Sequence, residues 1–127
     1  MTARVQNNGL ARITSLLAAA SWWLQWGTGS AAAATANVVT TTSTTEARAV
    51  ATASQQTTTV ANDTLRLTAT ITEASAGPVA ITEVGAFDAV GSGSPPTGGN
   101  MDVYGDFSAI NVSSGDSIAF TLNVRFS

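Results

Sequence analysis

The sequence predicts an all-β fold: an antiparallel β-sandwich, jelly-roll-like, preceded by a short N-terminal helix and an extended arm. Three observations predict it. Ile118, Phe120, Leu122, Val124 and Phe126 alternate without interruption with polar or small residues, the period of a half-buried strand. Leu65, Leu67, Ala69 and Ile71 alternate in the same way with Arg66, Thr68, Thr70 and Thr72. Finally, strand-length runs are separated by turns rich in Gly, Ser, Asn and Asp, with helical spacing only near the front and no βαβ alternation.

Taken in chain order, residues 1–21 read as arm and helix and residues 22–127 as a single β domain, which suits a length of 127 residues. Asn8 or Gly9 is expected to end the arm. Leu10, Ile13, Leu16 and Leu17 then recur at helical spacing, and Ala18, Ala19 and Ala20 prolong the helix at low entropic cost. Trp22, Leu24 and Trp26 alternate with Trp23 and Gln25 in a strand that stops at Gly27-Thr28-Gly29. The stretch from Thr28 to Thr45 holds Val38 and Val39 as its only larger apolar residues and reads as a long loop or arm.

Residues 46–60 and 64–73 form a long hairpin around the Asn62-Asp63 turn, both residues of which tolerate the left-handed conformation. Ala47, Ala49, Ala51 and Ala53 occupy one of its faces, and threonines dress the other. Ala76-Gly77-Pro78 breaks the chain. Val79 to Phe87 is a strand disturbed around Glu83-Val84-Gly85, where a glycine marks a bulge or a close backbone approach. The Gly/Pro-rich loop 91–99 is the clearest flexible segment and is expected to face solvent. A short strand over Met101 to Phe107 follows, then the Ser113–Asp116 turn and the last strand.

Composition removes most chemistry. The chain contains no His and no Cys, so it cannot build a Ser-His-Asp or Cys-His nucleophile pair, a disulfide, or the usual zinc ligand set. Its five basic residues are all Arg, against eight acids, for a net charge of −3, which argues against nucleic acid as a partner. Aromatic residues make up 6% of the chain and much of the 44% hydrophobic content is Ala, so the core is expected to be thin. The run from Leu10 to Leu24, followed by small residues, imitates a secretory leader. Arg12 inside it and the clustered tryptophans favour a helix followed by a strand, and the run is short for a membrane span.

No acidic group carries a reactive pattern. Asp88, Asp102 and Asp106 lack the spacing of a calcium loop, so no metal site is expected and the three read as turn acids. Glu73 and Glu83 lack the sugar-stacking aromatics of a glycosidase pair. The glycine patterns lack the Lys of a phosphate loop. No catalytic residue and no cofactor are expected, and the chain is read as not an enzyme.

Leu10-Ala11-Arg12-Ile13, Trp26-Gly27-Thr28-Gly29, Asn62-Asp63-Thr64, the octapeptide from Ile81 to Asp88 and Ser114-Gly115-Asp116-Ser117-Ile118, in that order, resemble a family of small tailed-bacteriophage virion proteins. Its members are described as capsid decoration (cement) proteins or as tail-fibre-like proteins. The resemblance implies a trimerising β-sandwich that binds the major capsid protein at the capsid surface of the virion, after assembly in the host cytoplasm, with no catalytic residues. The chain departs from the family at Pro95-Pro96 and in its alanine-rich hairpin. On this reading Arg4, Leu10, Arg12, Ile13 and Leu16 of the arm and helix, with Trp23, bind the shell or an adjacent protomer of a homotrimer. Two rival readings are a tail-fibre or baseplate attachment module that uses the glycine loop, and an exported cell-surface β protein.

Overall fold

Small side chains placed opposite large ones allow a single sheet to curl until its two ends approach. In the computed structural model, which describes residues 1–30, 32–36, 46–75 and 77–127, a helix α1 (Asn7–Ala18) is followed by six strands. These are β1 (Trp22–Gly27), β2 (Ala49–Gln56), β3 (Thr64–Thr72), β4 (Val79–Phe87), β5 (Met101–Val112) and β6 (Ser117–Arg125). All pairs are antiparallel and the order is β5-β4-β1-β2-β3-β6. The architecture is therefore one nearly closed, barrel-like sheet.

This corrects the expected sandwich. A sandwich needs two sheets separated by a gap in hydrogen bonding, whereas β1 pairs with β4 on one side and β2 on the other and so joins the halves. The registers show why the sheet curls. Trp22 faces Ala51, Leu24 lies between Ala49 and Ala86, Ala53 faces Leu67 and Ala69 faces Phe120. In these pairs a bulky inward residue has a methyl group beside it, an alternation that fits side chains into a narrow barrel, whereas Trp26 faces Val84 and Ile71 faces Ile118. The alanine-rich hairpin leaves room for the tryptophans.

The interior is built from Trp22, Leu24, Trp26, Leu65, Leu67, Ile71, Ile81, Val84, Ala86, Val112 and Phe120. The Trp26 and Phe120 rings meet edge to face, with centroids 6.4 Å apart, a favoured arrangement for aromatic quadrupoles. Helix α1 packs against β2 and β3. It begins at Asn7, so Asn8 and Gly9 lie inside it instead of ending the arm. No helix among the described residues is long and apolar enough to cross a membrane.

β4 is irregular, but its register shifts fall between Ile81 and Glu83 and between Ala86 and Phe87, on either side of the expected stretch, and Gly85 pairs regularly with Tyr104. The first shift lets Val79, Ala80 and Ile81 pair with Val112, Asn111 and Ile110. That pairing extends β5 to 12 residues, beyond the expected end at Phe107, because pairing with β4 recruits residues whose own pattern does not alternate. Only 28–30 and 32–36 of the expected loop over 28–45 are described; Val38 and Val39 lie outside the described residues.

Candidate interaction surfaces

Outside the barrel, the polar side chains of the β1 and β4 faces are used to hold segments down. Trp23 and Gln25 point away from the interior, and Trp23 pairs with Phe87 across the ladder. Arg48, which precedes β2, is buried over this face. Its guanidinium lies 3.7 Å from the centroid of the Phe87 ring, a stacking that the planar cation permits. Arg48 Nε donates to Gln25 Oε1 at 2.9 Å, and one terminal nitrogen donates to the carbonyls of Ala89 and Gly98, both at 2.8 Å. Gln25 Nε2 in turn donates to Pro96 O at 3.2 Å.

The glycine loop is therefore pinned at both ends and at its centre. The loop faces solvent as expected at residues 92–94 and 97–99, but Pro96 is buried and the loop is fastened over Gln25 and Arg48. Gly91 has φ +74°, and a Cβ there would come within 2.9 Å of the Arg48 guanidinium, so glycine is required twice over. Burial lowers the Arg48 pKa and the nearby Asp88 charge partly offsets this. Asp88 accepts hydrogen bonds from the Asn100 amide and side chain, which lower its own pKa.

A second clamp lies on the same face. Glu83 is fully buried, with its carboxylate accepting from Tyr104 Oη at 2.7 Å and from the Gly29 amide at 3.2 Å. Thr82 Oγ1 donates to Gly29 O. The segment after β1 is thereby held against β4 and β5. Burial first, then the bond to Glu83, raises the Tyr104 pKa.

The Asn62-Asp63 turn does similar work at the far end of the hairpin. Asn62 adopts φ 57°. Buried Asp63 accepts hydrogen bonds from the Thr58, Thr59 and Val60 amides and from Thr64 Oγ1, between 2.8 and 2.9 Å. These donors, the Val60 amide foremost, hold its carboxyl well below the ordinary aspartate range. Fully buried Thr14 bonds Asn62 O at 2.6 Å, and Gln55 Nε2 reaches both Thr14 Oγ1 and Ala11 O. The Trp22 indole donates to Leu17 O. Helix α1 is thus fastened by a polar network that apolar periodicity does not reveal.

The suspected acidic sites resolve into separate structural tasks. Glu73 bonds the Ser75 amide beside the Asp116 turn, whereas Glu83 serves the clamp described above. Burial, then the Asp88 charge, raises the Asp102 pKa. Among the described residues no three acids are gathered to hold a metal ion.

Of the residues expected to meet a partner, Arg4 and Arg12 are exposed and Leu16 is 63% exposed. Leu10 is buried within its own chain, while Ile13 and Trp23 are half-buried. The six do not form one patch: Trp23 lies on the face carrying the Arg48 clamp and the others on the arm and helix.

Two surfaces remain outside these clamps. One is a hydroxyl face on β2, β3 and β6, where Thr52, Thr68 and Thr121 lie in register and Thr72 bonds Ser117 at 2.6 Å. The other is the seam between β5 and β6, the two end strands, which do not pair with one another. A cleft of about 330 Å³ runs along it, lined by Gly105, Phe107, Ile110, Ile118, Phe120 and Leu122 among others. Phe107 and Phe120 meet within it at 6.0 Å. Sequence alternation identifies the β6 lining, but the seam itself depends on strand order. Comparison of the chain with family models, with curated proteins and with solved structures finds no match.

Proposed function

We propose that this chain is a structural subunit of a tailed-bacteriophage virion, a capsid decoration (cement) protein that binds the shell of major capsid protein and assembles with copies of itself as a homotrimer. Its action is adhesive. The observation that carries the reading is how the polar groups are used: Thr14, Gln25, Arg48, Asp63 and Glu83 each hold a helix, loop or segment to the barrel. What remains outward is an arm, a hydroxyl face and an apolar seam. The partner class comes from the resemblance of the motifs to those of the virion family.

Arg12 and Leu16, exposed on α1, are the contacts assigned to the shell. A subunit whose partner binds only the folded state gains stability from assembly. The test mixes purified protein with undecorated shells of the same phage and counts bound copies. Saturation at hundreds of copies per shell, with Arg12→Glu and Leu16→Ser each reducing occupancy, is the expected result. Failure to bind shells, with about a dozen or fewer copies located at the tail, would favour the attachment-module reading, since tail assemblies have closed low-order symmetry.

A further inference from the structure

The seam and the arm are complementary in shape, pattern and charge. Among the described residues β5 and β6 are the two end strands of the sheet and do not pair with one another, and end strands are templates for pairing with another chain. The cleft between them is apolar. Inward-facing Gly105, paired with Val84, leaves open space: a Cβ built there would meet no atom within 4 Å. Ile118 and Leu122 of β6, which line the cleft, are half-buried.

Residues 1–6 supply a segment of matching character. They belong to no helix or strand and are exposed throughout, and Gln6 is extended (φ −80°, ψ 163°). Extended, they place Met1, Ala3 and Val5 on one side and Thr2, Arg4 and Gln6 on the other. Val5 is 51% exposed despite being apolar. Six residues span about 20 Å, the length of β5 from Gly105 to Ile110 along the cleft.

Charge favours a second copy over a neutral partner. Residues 1–20 contain Arg4 and Arg12 and no acid, whereas all eight acids lie in the remainder with three arginines. Asp106 borders the cleft and its side chain is exposed, on the side where Arg4 would project if Val5 pointed inward. Arms repel arms and are attracted to bodies.

We infer that the β5–β6 seam of one copy takes the N-terminal arm, residues 1–6, of a second copy as an added strand, with Val5 in the cleft beside Gly105 and Arg4 next to Asp106. The inference rests on the reading of this chain as a self-assembling subunit and names the interface. Head-to-tail donation of this kind closes into a ring when the rotation between copies permits, as a trimer requires.

Sedimentation velocity of the full chain at high micromolar concentration, without shells, tests it. The expected result is an oligomer that becomes monomeric when residues 2–6 are deleted. Gly105→Ile, whose Cβ would meet no atom within 4 Å and whose side chain would project into the cleft, should have the same effect while leaving the thermal midpoint of the fold in place. Arg4→Asp should weaken association, and Arg4→Asp combined with Asp106→Arg should restore it. A monomeric full chain, or an oligomer that persists after arm deletion, overturns the inference. Shell binding measured in parallel separates the two readings. Shells that take up a monomeric chain refute arm exchange alone, and arm-dependent oligomers that ignore shells refute the decoration reading alone.

Discussion

The two flanks of this barrel use their side chains in opposite ways. Along β4 and β1, the inner face is filled by Trp22, Leu24 and Trp26, and Gln25 and Phe87 on the outer face are covered by Arg48 and the loop that it holds down. Along β5 and β6, the inner face carries apolar residues of good strand pattern, yet Phe107, Ile118 and Leu122 remain only half-buried. The same alternation is buried within the chain on one flank and left half-exposed on the other. Hydrophobic pattern specifies a face; strand order decides whether that face is closed.

Substitutions on the closed flank should give the largest effects. Trp26→Ala removes a fully buried side chain from the centre of the barrel and is expected to cost about 3–5 kcal/mol, read by urea denaturation. A loss below about 1 kcal/mol would show that the interior collapses around the gap. Next comes Arg48→Met, which keeps an apolar stem but removes the guanidinium from over Phe87 and leaves the Gln25 oxygen and the carbonyls of Ala89 and Gly98 without their donor. The expected cost is about 1–3 kcal/mol, with amide exchange accelerated in residues 89–99 and unchanged in β3. Equal acceleration in both would mean that the loop is part of the cooperative core.

Asp63→Asn should have a smaller, pH-dependent effect. The native carboxyl titrates below its ordinary value of 3.8, so its contribution is fully present above that value and is lost as pH falls through the depressed native one. The variant should melt earlier at neutral pH and show a shallower loss of stability on acidification. Identical acid profiles for variant and parent would refute the role given to this carboxylate. Smallest of all, Ile110→Ser on the seam should alter the stability of the arm-deleted chain by no more than about 0.5 kcal/mol. A larger loss there would mean that the seam already belongs to the core.

Much of the fold was legible because its strands alternate. β6 and β3 lie where their apolar residues place them, the Asn62-Asp63 turn joins β2 to β3, and Trp22, Leu24 and Trp26 share the inner face. The number of sheets was not legible, because alternation marks an inner face without saying whether it meets a second sheet or the far wall of its own. Alanines in β2 suggested a thin core for the same reason: the tryptophans they accommodate lie in another strand.

The loop clamp was hidden more deeply. Gly and Pro at 91–99 encode a backbone without regular structure, and a loop of that composition is mobile only if nothing bonds it. Arg48 does so from more than 40 residues away. Of the residues proposed to meet a partner, helical spacing groups Leu10, Ile13 and Leu16, yet Leu10 is buried and Leu16 exposed, because the β2–β3 hairpin beneath α1 covers only part of that stripe.

The central claim is that β5 and β6 form an open edge completed by another copy's arm. Hydrogen exchange, compared between the full chain and the chain lacking residues 2–6 at equal concentration, tests it most directly. Slow exchange of the outward amides of β5 and β6 in the full chain, lost on arm deletion while β1 stays protected, is the predicted result. Identical protection of β5 and β6 in the two proteins would contradict it.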